Sequence, residues 1–393
     1  MNYKNDLLVP IFTKPKYEVA DVFRNNIYKI NKLSPDQWKT VTDIINCRTK
    51  KLGKHILKCD KCGHEEISYN SCRNRNCPKC QGLKKIKWLL DRQKEILPIN
   101  YFHVIFTIPH FINKLTYQNR KIIYDLMFNS VKETLIEGAK NPKNLGAKIG
   151  YIAILHTWGQ TLSYHPHIHC IVTGGGITDD NKWIDSKDGY FIPVNILSIL
   201  FKNKMITKIR EEYKKNKLYF FNELESIKEY KDFNKYLDEA YNKNWVVYSK
   251  PSFKNSKNVF EYISRYTHRI AISNHRIKDL KDNSITFSYK DYRDDGKKKI
   301  MELKNEEFMR RFLMHVAPKN FMRIRFGGIF SNRYRKDNIS KVKKLLLTNE
   351  KIEINEKTQK SWKKILYNIS GINIERCPIC KNGILKDIFK NSS

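Results

Sequence analysis

The run His165-Pro166-His167-Ile168-His169 sets imidazoles at alternate positions at the head of a segment, HPHIHCIVTGG, whose later residues alternate like a buried strand. In an extended strand, side chains two apart leave the same face about 6.5 Å from one another. Two imidazoles so placed can grip one divalent ion. GYIAILH, from Gly150 to His156, predicts a second strand, with Trp158 to Tyr164 as the connection and His167 to Thr173 as the return. Antiparallel pairing would bring His156 close to His167, with His169 on the same face. Three neutral imidazoles hold an ion and leave positions free for water and a phosphate oxygen, which suits a Lewis acid. His165 is the alternative third ligand, although Pro166 is expected to bend the strand there, and the side-chain oxygen of Gln160 is a further candidate. A single such histidine would more often cap a turn or pack in a sheet.

A second chemical signal lies in Glu261-Tyr262-Ile263-Ser264-Arg265-Tyr266-Thr267-His268-Arg269. Phe260, Ile263 and Ile270 give this stretch a helical apolar stripe, and tyrosines four apart on a helix lie one turn above one another. Two phenols facing a metal suggest nucleophiles: a tyrosine can attack a phosphodiester, joining the protein to one DNA end and keeping the ester energy for rejoining. Most tyrosine pairs simply pack. Arg265 and Arg269 favour the chemical reading, because guanidinium forks bind phosphates; Arg276 either does the same or lies on the surface.

Cysteines supply a third signal. Cys59-x-x-Cys62 and Cys77-x-x-Cys80 form two knuckles whose four thiolates predict one closed, structural zinc site. Cys47, His55, His64 and Cys72 remain nearby and could hold a second zinc, or be buried thiols and surface imidazoles. Cys377-Pro378-Ile379-Cys380 is a lone knuckle near the C-terminus that needs ligands from elsewhere or binds nothing.

The elements that must position these groups are legible in outline. Lys84 to Leu97 predicts a helix ended by Pro98, Tyr101 to Pro109 a buried strand, Leu115 to Ala139 a helix, Pro193 to Asn244 charged amphipathic helices, and Trp245 to Ser249 another strand. Gly174-Gly175-Gly176 permits a tight turn and, weakly, a phosphate contact. The simplest division is an N-terminal region over 1–100 with a zinc module at about 45–85, a mixed α/β region over 101–330, and a basic tail over 331–393. With 75 Lys+Arg against 40 Asp+Glu, the formal charge is +35, which predicts a polyanion, nucleic acid, as partner. Phe321-Met322-Arg323-Ile324-Arg325-Phe326 and Asn332-Arg333-Tyr334-Arg335-Lys336 interleave rings with cations, as base stacking and phosphate tracking require. No apolar run reaches membrane-spanning length and no leader is evident, so a soluble, cytoplasmic, nucleoid-associated protein is expected.

Taken together, CDKCGHEEISYNSCRNRNCPKCQG, LHTWGQTLSYHPHIHCIVTGGG and EYISRYTHRIAISNHRI resemble the IS91-type transposases of the HUH endonuclease superfamily, over roughly residues 30 to 330. The resemblance implies an α+β fold: an HUH-type antiparallel sheet flanked by helices, preceded by the cysteine-rich module. It also implies a Mg²⁺- or Mn²⁺-dependent nuclease that cuts single-stranded DNA through 5′-phosphotyrosine intermediates in rolling-circle-like transposition. His167 and His169 match the family's paired histidines, and Tyr262 and Tyr266 its tyrosine pair. The third ligand is not fixed by that pattern; the spacing of His156 to His167 looks like that of three-histidine relaxases. Expected partners are single-stranded DNA and hairpin element ends, with a homodimer and host replication proteins left open. A rolling-circle replication initiator or relaxase would use the same tyrosines and metal. A zinc-ribbon regulator without activity would leave the histidines and tyrosines idle.

Overall fold

The computed structural model describes residues 14–81, 88, 95–187, 191–250, 269–347, 367 and 373–388. Two helices open the described chain, α1 (Val19–Asn26) and α2 (Pro35–Asn46). Ser34 caps α2, accepting from the Gln37 amide while Gln37 reaches back to the Ser34 amide, and Pro35 occupies the first turn, where its missing N–H costs nothing. A hairpin follows, β1 (Lys54–Cys59) and β2 (Glu65–Tyr69).

The centre of the molecule is a five-stranded antiparallel sheet. Its strands are β3 (Tyr101–Thr107), β4 (Gly150–Trp158), β5 (Tyr164–Thr173), β8 (Val247–Lys250) and β12 (Ile324–Gly328), in the order β12-β4-β5-β3-β8. A small hairpin, β6 (Gly175–Ile177) with β7 (Trp183–Asp185), extends from β5. The predicted helix over 115–139 is two helices, α3 (Asn113–Gln118) and α4 (Arg120–Lys140). Asn119 separates them because its side-chain amide donates to the carbonyls of Leu115 and Tyr219, which anchors a distant loop at the break. The charged stretch after Pro193 gives α5 (Val194–Lys214) and α6 (Tyr230–Asn242). The predicted helix over 84–97 falls mainly outside the described residues.

Both faces of the sheet are covered, so its central strands are apolar at odd and even positions alike. One face carries Phe106, Leu155, Ile168, Cys170 and Val172 into a core built with α4, α5 and α6. The other carries Tyr101, Ile152, Ile154 and Ile171 against Phe330 and against Ile339 and Val342 of the late helix α8 (Arg335–Leu347). The segment expected as a basic tail therefore contributes a packed helix, and also a strand, β13 (Leu385–Asp387), paired with β1.

A further core crosses the boundary placed at residue 100. A three-stranded sheet, β9 (Ile277–Leu280), β10 (Ser284–Asp291) and β11 (Lys297–Lys304), leads into α7 (Asn305–Met314). Phe308, Met309 and Phe312 of α7 bury against Val19, Phe23, Val41 and Ile44 of α1 and α2, together with Cys47, Cys77 and Cys80. The N-terminal helices are thus packed on residues 271–316 rather than forming a module of their own. No helix among the described residues is long and apolar enough to cross a membrane.

Candidate metal centre and DNA-facing site

In the β4–β5 ladder His156 stands directly opposite His167, and His169 opposite Ile154. Even positions of β5 (Ile168, Cys170, Val172) enter the helix-covered core, which sends His165, His167 and His169 to the other face. There His156, His167 and His169 each offer one ring nitrogen, and these atoms lie within 4.8 Å of one another. The Nε2 atoms of His167 and His169 are 3.1 Å apart. Burial pushes His167 down to about 3 and His169 well below the ordinary imidazole range, so both rings are neutral, the form that binds a metal. Nδ1–H of His167 donates to the carbonyl of His165 at 2.6 Å, which leaves the Nε2 lone pair free. Nδ1 of His169 lies 2.9 Å from Nε2 of His103 on β3, and ligation through His169 Nε2 makes His103 the acceptor. The ring of His156 stacks on Trp158 at 4.9 Å.

Beside His156 opens a cavity of about 330 Å³, with Trp158, Arg75, Arg269 and Arg323 in its walls. Arg75 donates to the Phe321 carbonyl, and Arg323 donates to Asn76 Oδ1 at 2.7 Å, so the loop around the Cys77 knuckle is fastened to the approach to β12. Arg323 is half-buried, and desolvation followed by the nearby Arg75 lowers it to about 10, still protonated at neutral pH. The charge of Arg269 also acts on His167 and His169, favouring their neutral forms. A cationic recess next to the histidine cluster suits a phosphodiester better than a neutral or cationic substrate.

The cysteines divide differently from the sequence expectation. Cys47, Cys72, Cys77 and Cys80 form one set, and Cys59, Cys62, Cys377 and Cys380 another, with the sulfurs of each set within 4.8 Å. Cys59 and Cys62 therefore do not join Cys77 and Cys80. Cys59–Cys62 sits at the tip of the β1–β2 hairpin, whereas Cys47 and Cys72 flank its open end, where the Arg48 amide donates to the Asn70 carbonyl. Five residue pairs, about 17 Å of ladder, separate the two ends. Neither His55 nor His64 belongs to either set; His55 Nδ1 pairs with Asp387 Oδ2 at 3.1 Å.

Residues 18–108 match the family model described as "Transposase zinc-binding domain", and residues 150–338 the one described as "Putative transposase". The chain is 42% identical over 371 residues to "Putative transposase y4qJ" of Sinorhizobium fredii (strain NBRC 101917 / NGR234), covering 93% of each chain. It belongs to the IS91-type transposases. A second relative, "Transposase for insertion sequence element IS801" of Pseudomonas savastanoi pv. phaseolicola, is 25% identical over 301 residues, covering 75% of the transposase and 70% of the relative. No solved structure is significantly matched.

DNA is accordingly the transposase's partner, and its N-terminal part is a zinc-binding domain, for which tightly grouped thiols are the fitting donors. Several residues singled out in the sequence do other work. His165 stays outside the ligand group and stacks on His110 at 5.0 Å. Gln160 points its carbonyl at Arg276 Nη2, and Arg276 Nε donates to the Ser288 carbonyl at 2.7 Å, so this arginine is neither a phosphate clamp nor a surface residue; it ties the hairpin turn to β10. Gly174 bonds through its amide to the Asn100 carbonyl at 2.7 Å, and a Cβ there would meet that oxygen at 2.8 Å. The glycine run thus serves close packing, not phosphate contact. Arg325 pairs with Asp125 and lies over Phe128, and Arg335 pairs with Glu95. Tyr262, Tyr266 and Arg265 lie outside the described residues. His103 and Arg75 are site residues that the motifs did not flag, since a lone histidine in the run YFHVIFT carries no signal of its own, whereas Arg323 comes from the run of rings and cations over 321–326.

Proposed function

We propose that this transposase cuts and rejoins single-stranded DNA at the ends of an insertion sequence through 5′-phosphotyrosine intermediates. The observation that carries the reading is the trio His156, His167 and His169 opening beside a recess walled by Arg75, Arg269 and Arg323. The all-antiparallel order of the central sheet, with the histidines on the adjacent interior strands β4 and β5, is compatible with an HUH-type domain. A Mg²⁺ or Mn²⁺ ion held by the three imidazoles would supply Lewis-acid polarisation of the scissile phosphate.

The chain's own residues do the rest. Arg269 and Arg75 orient the phosphate oxygens, while half-buried Arg323 adds positive potential beside them. Tyr262 or Tyr266 is the nucleophile: its phenolic oxygen bonds to phosphorus, the bond from phosphorus to the 3′-oxygen breaks, and a 5′-phosphotyrosine and a free 3′-hydroxyl result. Tyr266 precedes the cavity-lining Arg269 by three residues in the sequence. The second tyrosine can cut another strand while the first link persists, and the freed hydroxyl then transfers a strand. Cys47, Cys72, Cys77 and Cys80 hold the loop that delivers Arg75, so the zinc module contributes directly to the DNA site.

Incubation with labelled single-stranded oligonucleotides of element-end sequence and Mn²⁺ tests the reading by denaturing gel. Wild type forms a covalent adduct, and the Tyr262→Phe/Tyr266→Phe double variant forms none. An adduct persisting in the double variant overturns the nucleophile assignment, and no adduct in wild type overturns the reaction.

A further inference from the structure

The geometry points to a second four-cysteine zinc site, made by Cys59 and Cys62 from the β1–β2 hairpin with Cys377 and Cys380 from the segment that carries β13. Its role is to clasp that segment to the hairpin.

Sulfur spacing is the first support. Cys59 and Cys380 lie 3.7 Å apart, as do Cys62 and Cys377. Tetrahedral coordination with zinc–sulfur bonds of about 2.3 Å sets thiolates about 3.8 Å from one another. The Cys47–Cys80 and Cys72–Cys80 separations in the zinc-binding domain are nearly the same, 3.5 and 3.6 Å. The backbone supplies the second support. Amides of Lys61 and Cys62 donate to Cys59 Sγ at 3.4 and 3.5 Å, and the Gly383 amide donates to Cys380 Sγ at 3.3 Å. Donors aimed at sulfur favour the thiolate, which is the ligand form. A Cβ on Gly383 would meet Cys59 Sγ at 2.2 Å, so only glycine lets the two knuckles approach.

The third support is how little apolar burial joins the two parts among the described residues. β2 is exposed along its whole length, with Ile67 and Tyr69 open to solvent, and Ile379, Ile384 and Ile388 are likewise exposed. Cys59 and Cys377 are buried yet belong to none of the molecule's hydrophobic cores. A small structure with so little apolar burial holds together through a metal or covalent bonds. Here the polar contacts converge on the same point: the Asp60 amide donates to the Ile384 carbonyl, Ile384 donates back to Asp60 Oδ1, and Lys386 pairs with Asp60 Oδ2. Half of the ligands come from residues more than 310 positions downstream of the other half, so this site closes only after the segment carrying Cys377 and Cys380 has been made.

Metal analysis of the purified full-length protein tests the clasp. Wild type should carry two zinc ions per chain; Cys377→Ser/Cys380→Ser and Cys59→Ser/Cys62→Ser should each carry one, and the quadruple variant also one. Two zincs in Cys377→Ser/Cys380→Ser, or one zinc in wild type, would overturn the proposal. Thiol labelling of wild type gives an answer that does not depend on any variant folding. Cys59, Cys62, Cys377 and Cys380 should resist alkylation as a set and become reactive together as chelator is added. Free reactivity of Cys377 and Cys380 alongside protected Cys59 and Cys62 would sink the idea.

Discussion

At the histidine cluster the orientation of two rings is set by what one nitrogen of each bonds to. His167 is fixed by the His165 carbonyl and His169 by His103, so in the proposed metal centre His103 would position a ligand without touching the ion. Removing such a partner commonly lowers metal affinity 10–100-fold. We expect His103→Ala to weaken Mn²⁺ binding by about that factor in a calorimetric titration, and His169→Ala to abolish it; unchanged affinity in His103→Ala would mean the hydrogen bond does not orient the ring. Another buried histidine contributes to acid stability. His315 is buried between Thr157 Oγ1 and the Leu162 carbonyl, and desolvation lowers it to about 3. Unfolded chains bind its proton below about 6.5 while the native state does not. Stability is therefore full above that pH and drains away as the pH falls towards 3, by at most about 1.4 kcal/mol per pH unit from this group. Urea midpoints measured from pH 7 to 5 should fall less steeply in His315→Gln than in wild type.

Among elements, α7 joins parts of the chain that are far apart in sequence. Its Phe312 is buried, with its ring centroid 5.5 Å from that of Phe23 in α1, and neighbouring Phe308 meets Phe287 of β10. Truncating a buried phenylalanine costs about 3–5 kcal/mol. Phe312→Ala should lose that much in chemical denaturation, and because Cys47, Cys77 and Cys80 share the same core, it should also speed zinc release to a chromogenic chelator. At the sheet edge, Gly327 and Gly328 of β12 lie against Tyr151 and the Ile149 carbonyl, and Gly328 has φ +60°. A side chain at either position would push β12 away from β4, and with it the adjoining Arg323.

For the whole molecule the charge of +35 is the dominant property, and several of its cations are committed to internal ion pairs rather than to a partner. The remainder still exceeds what solubility requires. If six to ten phosphates are neutralised on binding, affinity for single-stranded DNA should fall about 10³–10⁵-fold between 50 and 200 mM salt, measured by fluorescence anisotropy. Arg75→Ala should shift that line and reduce its slope by roughly one. A slope near zero would remove phosphate contact as the basis of recognition.

The histidine hairpin was open to reading because both its signals are local. A period of two assigns faces, a short connection makes neighbouring strands pair, and His156 duly stands across from His167. The edge strand β8 and the charged helices α5 and α6 were legible for the same reason. The cysteines were not, since a Cys-x-x-Cys knuckle has the same form whatever completes its tetrahedron. Nearness along the chain favoured Cys77 and Cys80 as partners of Cys59 and Cys62. The length of the β1–β2 ladder keeps those pairs apart, and the return of β13 brings Cys377 and Cys380 in their place. Arg75 and His103 likewise became site residues only through packing, because no spacing rule links a zinc loop or a central strand to the histidine hairpin. Sequence alone thus determined the kinds of ligand, the histidine face and the polyanionic partner, all of which follow from side-chain chemistry and short-range periodicity. Which thiols meet, and which cations surround the imidazoles, was decided by contacts between residues as many as 320 positions apart, which only the folded chain brings within bonding distance.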